Sequence, residues 1–257
     1  LFLITPSWAD DIRDFQIEGM SVGDSLLDHF SKKEIKDNTS INYYTNNKYY
    51  PMKSCYFVTG ISTEVGKTIA SAIIVEALQA DYWKPIQSGD LDNSDTRKVH
   101  TLISNTETKF HPNSYSLKVP ISPHAAAAID NVEIDITKIK VPETNNKLVI
   151  EGAGGILVPL NNKHTIMDII SPKYKIIVVS RHYLGSINHT LLTINLLKEH
   201  GFDVSILFSG KEHPTTEEII HKMTNVPVIG RIDEEKEFTK EVILKYAKKF
   251  KPVLEKL

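Results

Sequence analysis

Cysteine is almost absent from this chain, which holds a single one, Cys55, among 257 residues. One cysteine cannot form an internal disulfide, so the sequence is typical of a protein from a reducing compartment. An excess of one charge is also lacking, because 30 Lys and Arg residues balance 32 Asp and Glu residues to a formal net charge of -2. The sequence therefore gives no sign of a nucleic-acid partner.

Long apolar runs are missing as well, since no hydrophobic stretch approaches the roughly 20 residues that a membrane-spanning helix needs. The composition is 41% hydrophobic and 24% charged, which is enough to bury one substantial core. No membrane partner is expected. Together these absences favour small-molecule chemistry in the cytoplasm.

The first 51 residues differ from the rest of the chain. The stretch Leu1-Phe-Leu-Ile-Thr-Pro-Ser-Trp-Ala9 resembles the end of a secretory signal with a small-residue cleavage site. A polar stretch follows to residue 51, and Met52 stands just before the first apolar strand pattern. We predict that residues 1–51 are an appended segment outside the main fold, which is formed by residues 52–257. The alternative is an extension that depends on export.

From Met52 onward, apolar runs alternate with helical patterns. The predicted strands are short and apolar, and fall near residues 55–59, 82–85, 147–152, 175–180, 204–208 and 226–230. The predicted helices fall near residues 67–80, 186–200, 215–224 and 236–250. This alternation predicts an α/β fold with a doubly wound, mostly parallel sheet, whose ligands bind at the carboxyl ends of the strands.

A glycine-bounded loop follows the first predicted strand and ends in Gly66-Lys67-Thr68. Glycines let backbone N–H groups surround phosphate oxygens, a lysine reaches the β and γ oxygens, and a threonine hydroxyl can bind Mg²⁺. Five residues separate Gly60 from Gly66, whereas the general pattern has four. The alternative is a simple strand-to-helix turn, but the order strand, loop and helix favours nucleotide binding.

Charged side chains follow other predicted strands. Lys84 opens the stretch Lys84-Pro-Ile-Gln-Ser-Gly89, where it could neutralise charge on a transferred phosphoryl group or could be merely an exposed strand end. Asp95, in a polar loop, and Glu151, before a glycine-rich turn, offer oxygen ligands for Mg²⁺, although each alone is more often a cap or a solvated charge.

Two further segments are open to two interpretations. The stretch Leu184-Gly-Ser-Ile-Asn-His189 opens a predicted helix, whose free N–H groups could bind a carboxylate, or Asn188 could simply cap the helix. In Ser122-Pro-His124 the histidine could meet a substrate, but a proline-fixed helix start explains these residues as well and is slightly favoured.

Taken together, these motifs strongly resemble the dethiobiotin synthetase family in order and approximate spacing, from Met52 to about Leu257. The resemblance implies an ATP- and Mg²⁺-dependent ligase of biotin biosynthesis. It would join CO₂ to 7,8-diaminononanoate as a carbamate, phosphorylate the carbamate with ATP, and close the cyclic urea of dethiobiotin as phosphate leaves.

The resemblance also implies a role for each motif residue. Lys67, Lys84 and Ser88 would be catalytic, and Thr68, Asp95 and Glu151 would bind Mg²⁺. Nucleotide-binding residues would be Gly60, Thr63, Glu64, Val65, Gly66, Lys67, Thr68 and Ser209. Substrate-binding residues would be Ser88, Gly152, Gly185, Ser186 and Asn188. In the family the substrate carboxylate rests on a helix N-terminus of the neighbouring subunit, so a homodimer with sites at the interface is implied.

One position departs from the family pattern, because Ser209 stands where many members have an asparagine that reads adenine. A hydroxyl cannot offer a donor and an acceptor together in one plane, so a looser preference for ATP is expected. The rival functions are a related amide-forming ligase and a partitioning-type switch ATPase. The ligase would usually carry a glutamine-hydrolysing domain, and the switch ATPase would be expected to have an early lysine in the loop, which residues 61–65 lack.

Overall fold

The computed structural model describes residues 54–257 and two short paired strands, β1 (Gln16–Ile17) and β2 (Met20–Ser21). The chain divides into two units, Leu1–Pro51 and Met52–Leu257, and the motifs above all lie in the second. Apart from β1 and β2, the predicted appended segment lies outside the described residues, so its nature stays a prediction.

The second unit alternates strands and helices. Its strands are β3 (Cys55–Gly60), β4 (Asp81–Trp83), β5 (Ile86–Ser88), β6 (Phe110–His111), β7 (Tyr115–Leu117), β8 (Leu148–Glu151), β9 (Lys175–Arg181), β10 (Asp203–Ser209) and β11 (Val228–Ile232). Its α-helices are α1 (Lys67–Leu78), α2 (Asp95–Leu102), α3 (Pro123–Ile129), α4 (Ser186–Glu199), α5 (Pro214–Thr224) and α6 (Lys240–Leu254).

Seven strands form one sheet in the order β11-β10-β9-β3-β8-β4-β6, and every pairing in it is parallel. The predicted α/β fold with a parallel sheet is therefore confirmed. Strand β3 lies between β8 and β9, so the chain runs to one side of β3 and later to the other. Such a reversal leaves a crevice at the carboxyl ends of the strands, where ligands of this fold class bind.

Both faces of the sheet are buried, as the continuous apolar strands predicted. Along β3, Tyr56 and Val58 point into one hydrophobic cluster, and Cys55 and Phe57 point into the other, because side chains alternate across a strand. Helix α1 is buried over most of its surface and packs against α6. The phosphate loop is thus held between two rigid elements, β3 and α1.

Some sequence predictions about local structure were wrong. Asp95 does not lie in a loop but begins α2, because the hydroxyl of Ser94 accepts a hydrogen bond from Arg97 N and caps the helix. Helix α6 begins at Lys240 rather than Lys236, after its cap Thr239. The short parallel pair β5 and β7 was not predicted, since strands of three residues give little periodic signal.

No helix among the described residues is long and apolar enough to cross a membrane.

Candidate active site

The phosphate loop connects β3 to α1. A side chain at Gly60 would lie 2.6 Å from Val65 Cγ2 and 2.8 Å from Ser62 O, so only glycine lets the loop fold back on itself. Gly66 precedes α1 with φ of 92°, a conformation that favours glycine. Within the described part of the chain no side chain caps the helix, so its first N–H groups are available to an anion. Lys67 Nζ donates to Ser62 O at 2.9 Å.

Four predicted residues from separate parts of the chain meet beside this loop. Thr68 Oγ1 donates to Asp95 Oδ1 at 2.9 Å and to Glu151 Oε1 at 3.1 Å. Lys84 Nζ lies 2.8 Å from Asp95 Oδ2 and 3.0 Å from Glu151 Oε1. Lys84 and Glu151 are buried. The cluster therefore brings one ammonium and two carboxylates together within a single site.

Two side chains that support this cluster were missed by the sequence analysis. The Tyr82 hydroxyl donates to Glu151 Oε2 at 2.9 Å. Gln87 accepts from Asp95 N at 3.3 Å and donates to Gly89 O at 3.0 Å, which ties the start of α2 to the turn after β5. Gln87 stood inside a quoted motif, but Tyr82 gave no signal, because an aromatic residue in a buried strand is ordinary core.

Burial and charge shift the pKa values of these groups. Burial lowers the pKa of Lys67 to about 8, although Glu151 acts in the opposite direction. Burial would also lower the pKa of Lys84, but the charges of Glu151 and Asp95 outweigh it and raise that pKa above its usual value. Burial would raise the pKa of Asp95, yet Lys84 holds it below its usual range. Lys84 is therefore charged at neutral pH.

Ser88 lies at the end of β5, and its buried hydroxyl has no hydrogen-bond partner among the residues that the structure describes. Buried polar atoms of this kind are rare in native proteins and call for an explanation such as a ligand. The turn that follows is tight, since a side chain at Gly89 would lie 2.4 Å from Pro120 Cβ. The hydroxyl of Ser88 is therefore free to bind a ligand, as its predicted role requires.

A cleft of about 1160 Å³ opens over the cluster. The predicted residues that line it are Thr63, Glu64, Val65, Gly66, Lys67, Thr68, Lys84, Ser88, Asp95, Glu151 and Ser209. The cleft continues past the phosphate loop to Arg181, Asp233 and Phe238. A pocket of this size has room for a nucleotide-sized ligand.

Five other predicted residues do not line the cleft of this chain, and one of them, Gly60, is the last residue of β3. Gly152 donates its N–H to Val58 O at 2.9 Å and packs on Phe57. The other three lie at the start of α4, where Gly185 is the N-terminal cap with φ of 100°, Ser186 is buried and Asn188 is exposed. The alternative that Asn188 caps this helix is therefore wrong. His124 lies in the first turn of α3, after Ser122, as the helix-start interpretation predicted.

The oxygen ligands of the cluster fit a hard cation such as Mg²⁺. A hydroxyl and two carboxylates are the ligand types that Mg²⁺ takes, usually together with phosphate oxygens of its substrate. In residues 54–257 no group of three or more His, Cys, Asp or Glu side chains could hold a metal ion. Two carboxylates and one hydroxyl leave positions on Mg²⁺ for water and for phosphate oxygens of a nucleotide.

The comparisons with known proteins agree on the class of protein. A family model described as an AAA domain matches residues 54–242. An ATP-dependent dethiobiotin synthetase of Christiangramia forsetii is 58% identical over 201 residues, which cover 78% of this chain and 97% of that protein. A second such synthetase, from Cytophaga hutchinsonii, is 48% identical over 197 residues, covering 76% of this chain and 95% of that protein.

The solved structures that are similar share the fold alone. A plasmid partition protein of Borrelia burgdorferi bound to AMPPNP has a TM-score of 0.53 at 12% identity, covering 80% of this chain and all of that one. The MinC:MinD cell division complex of Aquifex aeolicus gives 0.52 at 14% identity, covering 80% of this chain and 97% of the matched one. The two synthetases have much higher sequence identity to this chain than these structures have. The chain belongs to the ATP-dependent dethiobiotin synthetase family.

Proposed function

We propose that this protein makes dethiobiotin from 7,8-diaminononanoate, CO₂ and ATP, as a ligase of biotin biosynthesis. One amine of the diamine adds to CO₂ to give a carbamate and releases a proton. The carbamate oxygen takes the γ-phosphoryl group of ATP, leaving ADP. The second amine then attacks the carbonyl carbon and releases a proton, and phosphate leaves as the cyclic urea closes. The observation that carries this proposal is the cluster of Thr68, Lys84, Asp95 and Glu151 beside the phosphate loop.

The side chains of the cleft suit phosphoryl transfer, which needs mainly positioning and neutralisation of charge. Lys67 and the N-terminus of α1 would hold the β- and γ-phosphates. Lys84 stays charged and would stabilise the carbamate and the phosphoryl group. Ser88 would donate its unpartnered hydroxyl proton to the same oxygens.

Thr68, Asp95 and Glu151 would hold Mg²⁺ in this proposal. The ion would neutralise charge that develops between the β- and γ-phosphates. Lys84 Nζ lies 2.8 Å from Asp95 Oδ2 and 3.0 Å from Glu151 Oε1, and this pairing of a cation with both carboxylates supports the proposal.

Ser209 would lie near the nucleotide rather than select its base. Its hydroxyl is buried and donates to Val65 O at 2.7 Å, so its proton is committed to the phosphate loop. We expect comparable turnover with ATP, GTP and CTP, which steady-state rates with each nucleotide would measure. Rates with GTP and CTP roughly tenfold or more below the rate with ATP would contradict this expectation.

The decisive experiment measures dethiobiotin and phosphate released by the full chain with ATP, Mg²⁺, bicarbonate and 7,8-diaminononanoate. Lys84→Ala serves as the inactive control. We expect dethiobiotin to form only when the diamine is present, and we expect the Lys84→Ala variant to form none. ATP hydrolysis that does not depend on the diamine would instead favour a partitioning-type switch ATPase, and a plasmid partition protein bound to AMPPNP has a similar fold.

The unit Met52–Leu257 would carry the whole activity. It contains every residue of the cleft, and the matched family region begins at residue 54. We expect a protein starting at Met52 to form dethiobiotin at the rate of the full chain, within about twofold. A protein that folds but makes no product would contradict this division of the chain.

A further inference from the structure

Tyr82 contacts the site from the hydrophobic core between the sheet and α1. It lies in the middle of β4, is fully buried, and its ring packs against Phe110 with 5.8 Å between ring centroids. Its hydroxyl donates to Glu151 Oε2 at 2.9 Å. Packing on all sides leaves the ring little freedom, so the position of the hydroxyl is fixed by the core.

The two oxygens of Glu151 thus have different partners. Oε2 accepts from Tyr82, whereas Oε1 accepts from Thr68 at 3.1 Å and from Lys84 at 3.0 Å. Without Tyr82, rotation of the carboxylate could turn it away from the cleft. The phenol therefore fixes the orientation of the carboxylate, with one oxygen held by the core and the other facing the cluster.

Tyr82 also leaves the charge of the carboxylate intact. A tyrosine hydroxyl is neutral at pH 7, and here it donates its proton to Glu151 Oε2. A neutral donor orients a carboxylate without pairing its charge, unlike Lys84. Hydrogen-bonded partners of this kind commonly orient the carboxylates that bind metal ions.

We propose that Tyr82 is a positioning residue for Mg²⁺, which holds Glu151 so that Oε1 faces the ion. This inference rests on the proposed role of Glu151 as a metal ligand. In this inference a residue of the strand interior contributes to binding of the ion without lining the cleft.

The test measures binding of AMPPNP by calorimetry over a series of Mg²⁺ concentrations, and again in EDTA. Tyr82→Phe removes the hydroxyl and keeps the ring. Tyr56→Phe is the matched control, because Tyr56 is equally buried but its hydroxyl donates to Leu254 O at 3.4 Å. We expect Tyr82→Phe to raise the Mg²⁺ concentration for half-maximal tight binding about tenfold or more. Affinity in EDTA should not change.

Three outcomes would overturn the inference. Mg²⁺ dependence of Tyr82→Phe within about twofold of the unmodified protein would show that the hydroxyl does not act on the ion. An equal loss of AMPPNP affinity with and without Mg²⁺ would show general loosening of the core.

A second series keeps the inference testable if Tyr82→Phe is less stable. In a Glu151→Gln background, Tyr82→Phe should cause no further loss of Mg²⁺-dependent binding. A full additional loss would contradict action through Glu151. If the unmodified protein shows no Mg²⁺ dependence, the proposed metal site itself fails.

Discussion

At the scale of single residues, Lys84 and Mg²⁺ should compete for the carboxylate oxygens of Asp95 and Glu151. The ammonium pairs with both carboxylates at 2.8 and 3.0 Å, where a bound ion would need the same oxygens. We expect Lys84→Met to lower dethiobiotin formation at least ~100-fold, because a charge aimed at the phosphoryl group is lost. The same variant should need several-fold less Mg²⁺ for AMPPNP binding. Lys222→Met, which removes an exposed lysine paired with Glu218, is the control. Weaker Mg²⁺ binding by Lys84→Met would contradict the competition.

The lowered pKa of Lys67 predicts that nucleotide binding depends on pH. Burial lowers its pKa to about 8, so the unliganded side chain loses its positive charge as the pH rises through that value. Binding of ADP without metal should therefore weaken about tenfold between pH 7 and pH 9, as measured by calorimetry. Lys67→Arg should show a flat profile, because a guanidinium keeps its charge in this range. Equal slopes for the two proteins would assign the effect to another group.

At the scale of elements, Asp81 fixes the start of β4. Its buried carboxylate accepts from Thr144 Oγ1 at 2.6 Å, Lys109 N at 3.1 Å and Asn146 Nδ2 at 3.2 Å. These bonds tie the strand to the segments that lead into β6 and β8. The element that carries Tyr82 and leads to Lys84 is thereby anchored at the end opposite to the cleft.

Asp81→Asn should lower the free energy of unfolding by about 2 kcal/mol at pH 7, because an amide cannot accept all these bonds. Burial would raise the pKa of Asp81, but the bonds from Thr144 and Lys109 hold it below its usual value. The carboxylate therefore stabilises the fold above pH ~4, and this contribution is lost as the pH falls through the lowered pKa. Urea unfolding at pH 7 and below pH 4 should show the difference shrinking. Asp203→Asn, at the exposed start of β10, should have little effect.

At the scale of the whole molecule, we propose the homodimer that the family resemblance implies, and the start of α4 supports it. Leu184 is fully exposed, Leu192 is 62% exposed, and Tyr183 and Ile187 are partly exposed, all near Gly185. Exposed apolar side chains grouped in this way mark interaction surfaces. A second copy of the chain would cover them and bring its own α4 to the cleft.

Mixing two inactive variants tests this arrangement. Lys84→Ala disables the cleft, and Asn188→Asp adds negative charge where the substrate carboxylate is proposed to bind. If α4 acts on the cleft of the partner, a mixed dimer keeps one intact site, and mixing after dissociation should restore about a quarter of the activity. No recovery, with dimers confirmed by light scattering, would place the two groups in the same site. Leu184→Asp should give monomers.

Much of this protein could be predicted from short stretches of sequence. The parallel sheet followed from continuous apolar runs, and the phosphate loop followed from Gly66-Lys67-Thr68, because periodicity and glycine spacing are local properties. Local patterns also have limits, since the capping of α2 by Ser94 went unnoticed.

The sequence by itself determined the fold class, the loop and the chemical types available at the strand ends. Only the tertiary structure decided which of them meet, because Thr68 is 83 residues from Glu151 and Lys84 is 67 residues from it. It also decided that Tyr82 reaches the cluster from the core, and that the hydroxyl of Ser209 is committed to Val65. The physical reason is that parallel strands distant in sequence end side by side at one edge of the sheet, where their last side chains share one cleft.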